Sequence, residues 1–243
     1  MVQIENAVRY AVTGLLAITT HAHALPNAGS SSLYGTKVHA ARASFRDDFT
    51  SFDTDIWSCE YTCPTIETER ARFHLSAGIK PNNEGSWSKA RYKPARFTSG
   101  RFTVRFSLTA RPAQKMWWGV ALWDDGPAED GSEFNEINFG YTVDGSLSNS
   151  QLLFESTRRG QGLSIPVDTG VDLYDEEYHV ATLEYDSEHV AFYFDGDLLH
   201  EITDTASIPT DPVDLVLGPR LVTGSEPLTE FFLESIDWVE IEA

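Results

Sequence analysis

The sequence predicts an all-β protein, a two-sheet antiparallel jelly-roll sandwich, and three observations predict it. Short runs rich in β-branched and aromatic residues recur along the chain, with Gly, Asp, Asn and Pro between them. Several alternate with period two, as in Phe102-Thr-Val104-Arg-Phe106-Ser-Leu108 and Val190-Ala-Phe192-Tyr-Phe194. No long helical period and no internal repeat appears, and many short strands at even spacing point to a sandwich. A hydrophobic content of 41%, with 12% aromatic residues, is ample for the core of one domain of this size.

In chain order, residues 1–24 read as a signal peptide. Arg9 gives the positive start, 10–20 is mostly apolar, and Ala22-His23-Ala24 is a small-x-small cleavage site, so secretion is expected. The apolar run is too short to span a bilayer, which needs about 20 residues. Residues 25–42, with Ser and Gly clustered together, read as a flexible lead-in, and 43–243 as a single β-domain. Strands are expected over 43–49, 65–75, 96–108, 117–123, 133–142, 152–157, 179–185, 190–194, 213–217 and 228–241. Asp195-Gly196 marks a hairpin turn.

The formal net charge is -19, and loss of the leader removes Glu5 and Arg9 together, leaving it unchanged. That sign excludes nucleic acid and anionic membrane surfaces as partners. Cys59 and Cys63, four residues apart in a secretory chain, are expected to form one small-loop disulfide rather than a metal site. Asp124, Asp125, Glu129 and Asp130 make an acidic loop without a full calcium-loop pattern, so no metal and no cofactor is expected.

Four stretches together resemble glycoside hydrolase family sixteen, the laminarinase, lichenase and xyloglucan transferase group with its concanavalin A-like jelly roll. They are Phe97–Leu108; Trp117–Trp123 followed by Asn135–Tyr141; Glu177–Tyr185 with Val190–Gly196; and the closing run Phe231–Glu240. In that family the catalytic strand reads E-x-D-x-E: a nucleophile, a supporting Asp and an acid/base, all on one face by period-two geometry. The matching positions here are Glu136, Asn138 and Gly140. The resemblance implies that the nucleophile's carboxylate remains, the supporting acid has become an amide, and the general acid has lost its side chain. Glu133 and Tyr141 lie at odd spacing from Glu136, on the opposite face, and do not replace it.

By the same resemblance Glu136 and Asn138 are the expected catalytic groups, with Trp87, Arg91, Tyr92, Trp118 and Trp123 as substrate-binding residues. Alternation sends Trp118 to one face and Trp117 and Trp123 to the other, so not all of them reach a cleft. Arg158-Arg159-Gly-Gln-Gly162 reads as a solvated turn or a rim loop. The leader, the fold and the altered catalytic strand together resemble, in overall type, the secreted hetero-Diels–Alder cyclases of fungal tropolone–sesquiterpenoid pathways. That resemblance implies a non-hydrolytic cyclisation of an apolar polyketide or terpenoid small molecule in the cleft. The alternatives are a secreted β-glucan-binding protein, and a glycoside hydrolase or transglycosylase with a displaced acid/base. An enclosed apolar pocket favours the first, and exposed aromatic platforms along a polar cleft favour sugars.

Overall fold

The computed structural model describes residues 44–126, 133–140 and 146–243. The expected signal peptide and lead-in, and Glu129, Asp130 and Tyr141, lie outside the described residues. Among the described residues every regular element is a strand. In chain order these are β1 (Ser44–Asp47), β2 (Trp57–Tyr61), β3 (Thr65–Ile66), β4 (Ala71–Leu75), β5 (Ser88–Tyr92), β6 (Gly100–Leu108), β7 (Met116–Trp117), β8 (Val120–Asp124) and β9 (Asn135–Gly140). Then follow β10 (Gln151–Arg158), β11 (Gln161–Asp168), β12 (His179–Tyr185), β13 (Val190–Phe194), β14 (Asp197–Ile202), β15 (Asp214–Leu217), β16 (Arg220–Leu221) and β17 (Phe232–Glu242).

Two antiparallel sheets stack. The back sheet runs β14-β13-β12-β6-β17-β4-β3, with β1 also paired to β17. The front sheet runs β11-β10-β9-β8-β15-β5-β2, and a short β16-β7 ribbon stands apart from it. Alternation explains the core. Phe102, Val104 and Phe106 of β6 are buried while Arg101, Thr103 and Arg105 are not. On the front sheet Ile137 and Phe139 of β9, and Leu152 and Phe154 of β10, point inward. Their rings meet those of the back sheet, with Phe139 5.2 Å and Phe154 5.5 Å from Phe192 between centroids. Each fully buried aromatic contributes roughly 2–3 kcal/mol of apolar burial.

Inward Ile137 and Phe139 leave Glu136, Asn138 and Gly140 facing away from the back sheet, as period-two geometry requires. Their cross-strand partners share that face: Trp123 and Thr157 beside Glu136, Ala121 and Glu155 beside Asn138, and Leu153 beside Gly140.

A row of glycines crosses this surface. Gly140 ends β9, Gly119 separates β7 from β8, and Gly218 separates β15 from β16. All three have left-handed backbone, with φ of 119°, 110° and 103°. A Cβ on any of them would strike a backbone oxygen: Trp118's at 1.8 Å, Phe139's at 2.6 Å and Ser88's at 2.0 Å, respectively. Strands β7–β8 and β15–β16 therefore break along the same line, and the β16-β7 ribbon turns away from the sheet. That break carries Trp87 and Arg220 back toward Trp123.

Candidate functional site

Glu136 sits at the centre of the outward face. Its carboxyl is pushed up to about 8, first by burial and second by the neighbouring Glu155, against a hydrogen bond from Asn138 and the charge of Arg220. Burial and the like charge of Glu155 thus both favour the neutral form of the Glu136 carboxyl. Asn138 is 1% exposed and donates from Nδ2 to Glu155 Oε2 at 3.1 Å. That bond fixes the amide and leaves Asn138 Oδ1 buried, with no partner among the described residues. Glu155 pairs with Asn138 in register, so it lies diagonal to Glu136 on the adjoining strand, with Cβ atoms roughly 7–8 Å apart.

Indoles wall the site. Trp87 and Trp123 meet edge to face at 6.1 Å, and the guanidinium of Arg220 lies 4.7 Å from the Trp87 ring and 6.0 Å from that of Trp123. Trp87 and Trp117 are 7% and 6% exposed, so they are walls rather than exposed platforms. Trp123 Nε1 donates to Asp125 Oδ1 at 2.8 Å.

At the rim stands Tyr61. Alternation along β2 would send it inward with Trp57, but its backbone is left-handed at φ 63° and its ring stacks on outward-facing Trp87 at 5.6 Å. Non-glycine residues rarely adopt that conformation. The Cys59–Cys63 disulfide, expected from spacing and present here, closes the loop around it.

The structure brings Glu136, Asn138, Trp87 and Trp123 together, and it separates three other expected site residues. Trp118 is 0% exposed and packs in the core against Phe106 and Phe139, its Nε1 donating to Tyr174 at 3.2 Å; it is no ligand platform. Tyr92 also faces inward, against Phe45, Trp57 and Phe97, because Arg91 and Lys89 hold the outward parity of β5. Arg91 does face outward, but β15 and β8 lie between it and Asn138, roughly 14 Å by strand spacing. It is held there by Glu60 at 3.2 Å and Asp214 at 3.6 Å.

In the acidic loop, Asp124 pairs with Arg96 at 2.5 Å and Asp125 accepts from Trp123. Among the described residues no group of three His, Cys, Asp or Glu side chains is arranged to hold a metal. Of residues 158–162, Arg159 and Gly160 form the tight turn between β10 and β11, and the others belong to the two strands.

Three contributors escaped the sequence reading. Glu155 was signalled by alternation along 152–157, which sets it opposite Leu152 and Phe154, but only register places it beside Asn138. Tyr61 was signalled only by the flanking cysteines. Arg220 carried no signal, since its position depends on the strand break at Gly218.

No protein-family model matches the chain, and no curated protein matches it. Solved structures do. The chain is similar to a Bacillus licheniformis β-glucanase at 18% identity, with a TM-score of 0.65 over 82% of this chain and 98% of that one. It is similar to the Crh5 transglycosylase at 17% identity, with a TM-score of 0.61 over 83% and 85%. It is similar also to the catalytic domain of an endo-1,3-β-glucanase (laminarinase) from Thermotoga petrophila at 13% identity, with a TM-score of 0.63 over 82% and 96%. The chain has the jelly-roll scaffold of these glucanases and transglycosylases.

Proposed function

We propose that the cleft is a general-acid site for an oxygen-bearing small molecule, and that its reaction is a non-hydrolytic cyclisation. In its most specific form this is an intermolecular hetero-Diels–Alder reaction between a conjugated oxygenated diene and an alkene. The observation that carries the reading is the position of Glu136, beside Trp123 and its partner Trp87 and across from Glu155, where burial and the like charge push its carboxyl upward. A neutral carboxylic acid donates a hydrogen bond to a carbonyl oxygen and lowers the barrier to addition, while apolar walls hold two reactants in contact. The cycloaddition forms one C–C and one C–O bond from π electrons and needs no net proton transfer. By the family resemblance Gly140 stands where a hydrolase carries its acid/base, and the Trp118 carbonyl leaves no room there for a side chain.

A second reading is favoured by one observation, the diagonal pair Glu136 and Glu155 on adjoining strands. Two carboxyls on one face are the groups that glycoside hydrolysis or transfer uses, and the similar solved structures are glucanases and transglycosylases. We propose secretion as well, from the leader; N-terminal sequencing of protein from the medium of an expressing host, starting at Leu25, tests it.

Parallel assays separate the two readings. The chain is incubated with β-glucan oligosaccharides, and separately with a tropolone-type quinone-methide precursor and a humulene-type alkene. The proposal expects faster adduct formation with a single stereoisomer, a loss of about 10²–10⁴ in rate for Glu136→Gln, and no released reducing ends. Sugar cleavage or transfer that requires both Glu136 and Glu155, without adduct acceleration, overturns it.

A further inference from the structure

Arg220 stands apart from the other arginines of this face. Arg91 is neutralised by Glu60 and Asp214, and Arg96 by Asp124 and Asp214. Arg220 has no carboxylate within 4.0 Å and no hydrogen-bond acceptor among the described residues, in a chain of net charge -19; it rests on indole faces. Its cross-strand neighbours repeat the pattern. Arg220 pairs with Trp87 on one side and with Trp117 on the other. The Nε1 of each indole is buried and has no partner among the described residues, unlike Trp123 Nε1, which is bonded to Asp125.

The guanidinium of Arg220 is thus flanked in register by two indole residues whose N–H groups find no acceptor among the described residues. Buried donors without acceptors are costly, and proteins rarely keep two side by side without use for them. A sugar hydroxyl would satisfy a donor but would gain little from the cation. An oxygen with negative or delocalised charge gains from both, and a flat ring fits a space edged by indoles and a planar guanidinium.

We propose that Arg220, Trp87 and Trp117 form an acceptor-binding subsite beside Glu136, which takes the oxygen edge of a planar conjugated enol, enolate or carboxylate. This rests on the reading of the cleft as a small-molecule site and names the substrate class. Arg220 and the two indole N–H groups hold and orient the oxygens, and Glu136, the cross-strand partner of Trp123, lies beyond that indole. The subsite makes Arg220 a specificity-determining residue.

The test is calorimetric titration of the full chain with tropolone and with benzoate, using benzyl alcohol and laminaribiose as neutral controls. It is run on the wild type, Arg220→Gln and Trp117→Phe, the last keeping the ring but losing its N–H. Expected are binding of both acceptor probes in preference to both controls, weakening by about 10–100-fold in Arg220→Gln, and a smaller loss in Trp117→Phe. Unfolding temperatures of the variants are recorded alongside, and Arg220→Gln is expected to fall by no more than a few degrees, since cation–π contact with the indoles is what its guanidinium contributes among the described residues. Equal affinity for tropolone and benzyl alcohol, absence of binding to the wild type at millimolar probe, or full affinity in Arg220→Gln overturns the subsite. Tropolone held through Arg220 with no adduct formation would keep the subsite and reject the cyclase. Stereoselective adduct formation unaffected by Arg220→Gln would do the reverse.

Discussion

Burial pushes a carboxyl toward its neutral form, and among the described residues Glu136 and Glu234 are both raised in this way, for different ends. Glu136 faces outward, where a proton can be shared with a ligand. Glu234 is 0% exposed between the sheets, accepts from the Gly119 N–H at 3.2 Å through Oε2, and has no partner for Oε1 among the described residues. Burial pushes it up to about 8, and the Gly119 bond offsets this only in part. A carboxyl raised in the fold and ordinary in the unfolded chain stabilises fully at pH below about 4.5. That stability is lost as pH rises and is gone above about 8, a total on the order of 4 kcal/mol. Glu234→Gln keeps the acceptor for Gly119 and removes the ionisation. Its melting temperature is expected to match the wild type near pH 4 and to exceed it increasingly up to pH 9, by calorimetry; a constant difference across that range would contradict the buried ionisation. Glu136 and Asn138 were named by the resemblance to the E-x-D-x-E strand, and alternation added only that they share a face. Trp118 and Tyr92 were misplaced because likeness to a motif names a position without naming its face, and at Trp118 the parity opposite to Trp117 and Trp123 was the better guide.

At the scale of elements, the glycine row shapes the cleft. Gly140, Gly119 and Gly218 let three neighbouring strands approach more closely than a Cβ allows, and the two broken strands fold Arg220 and Trp87 over the site. Gly140→Ala places a methyl 1.8 Å from the Trp118 carbonyl oxygen at a φ of 119°. It is expected to destabilise by about 3 kcal/mol or more, a fall of roughly 6–12 °C in Tm on thermal denaturation. An unchanged Tm would mean that the row is not structurally required. Strands with clean period two, such as β6, β12 and β13, were legible. β5 was not, since its sequence Ser88-Lys-Ala-Arg-Tyr92 carries too few apolar residues to show the alternation that its pairing gives it. β11 was not, since it is an edge strand, mostly exposed, carrying Gly162 and Pro166. Strand breaks were invisible as well, because one glycine reads as a turn and only pairing shows three of them aligned.

For the whole molecule, the architecture followed from many short strands in order, but the pairing did not. β6 lies between β12 and β17, and β8 between β9 and β15, contacts that join distant parts of the chain. Hydrophobic periodicity carries no information about such partners, and the subsites of the cleft depend on them. The consequence is a scaffold shared with glucanases whose outer face holds a carboxyl raised by burial, an oriented amide and an arginine resting on indoles. The claim on which this rests is that Glu136 is protonated at neutral pH, and infrared difference spectroscopy of wild type against Glu136→Gln between pH 4 and pH 10 reads it directly. The expected result is a protonated carboxyl band assigned to Glu136 that persists at pH 7 and disappears with a midpoint near 8. A midpoint near 4.5, the ordinary value, would leave a carboxylate in the cleft at neutral pH and contradict the general-acid site.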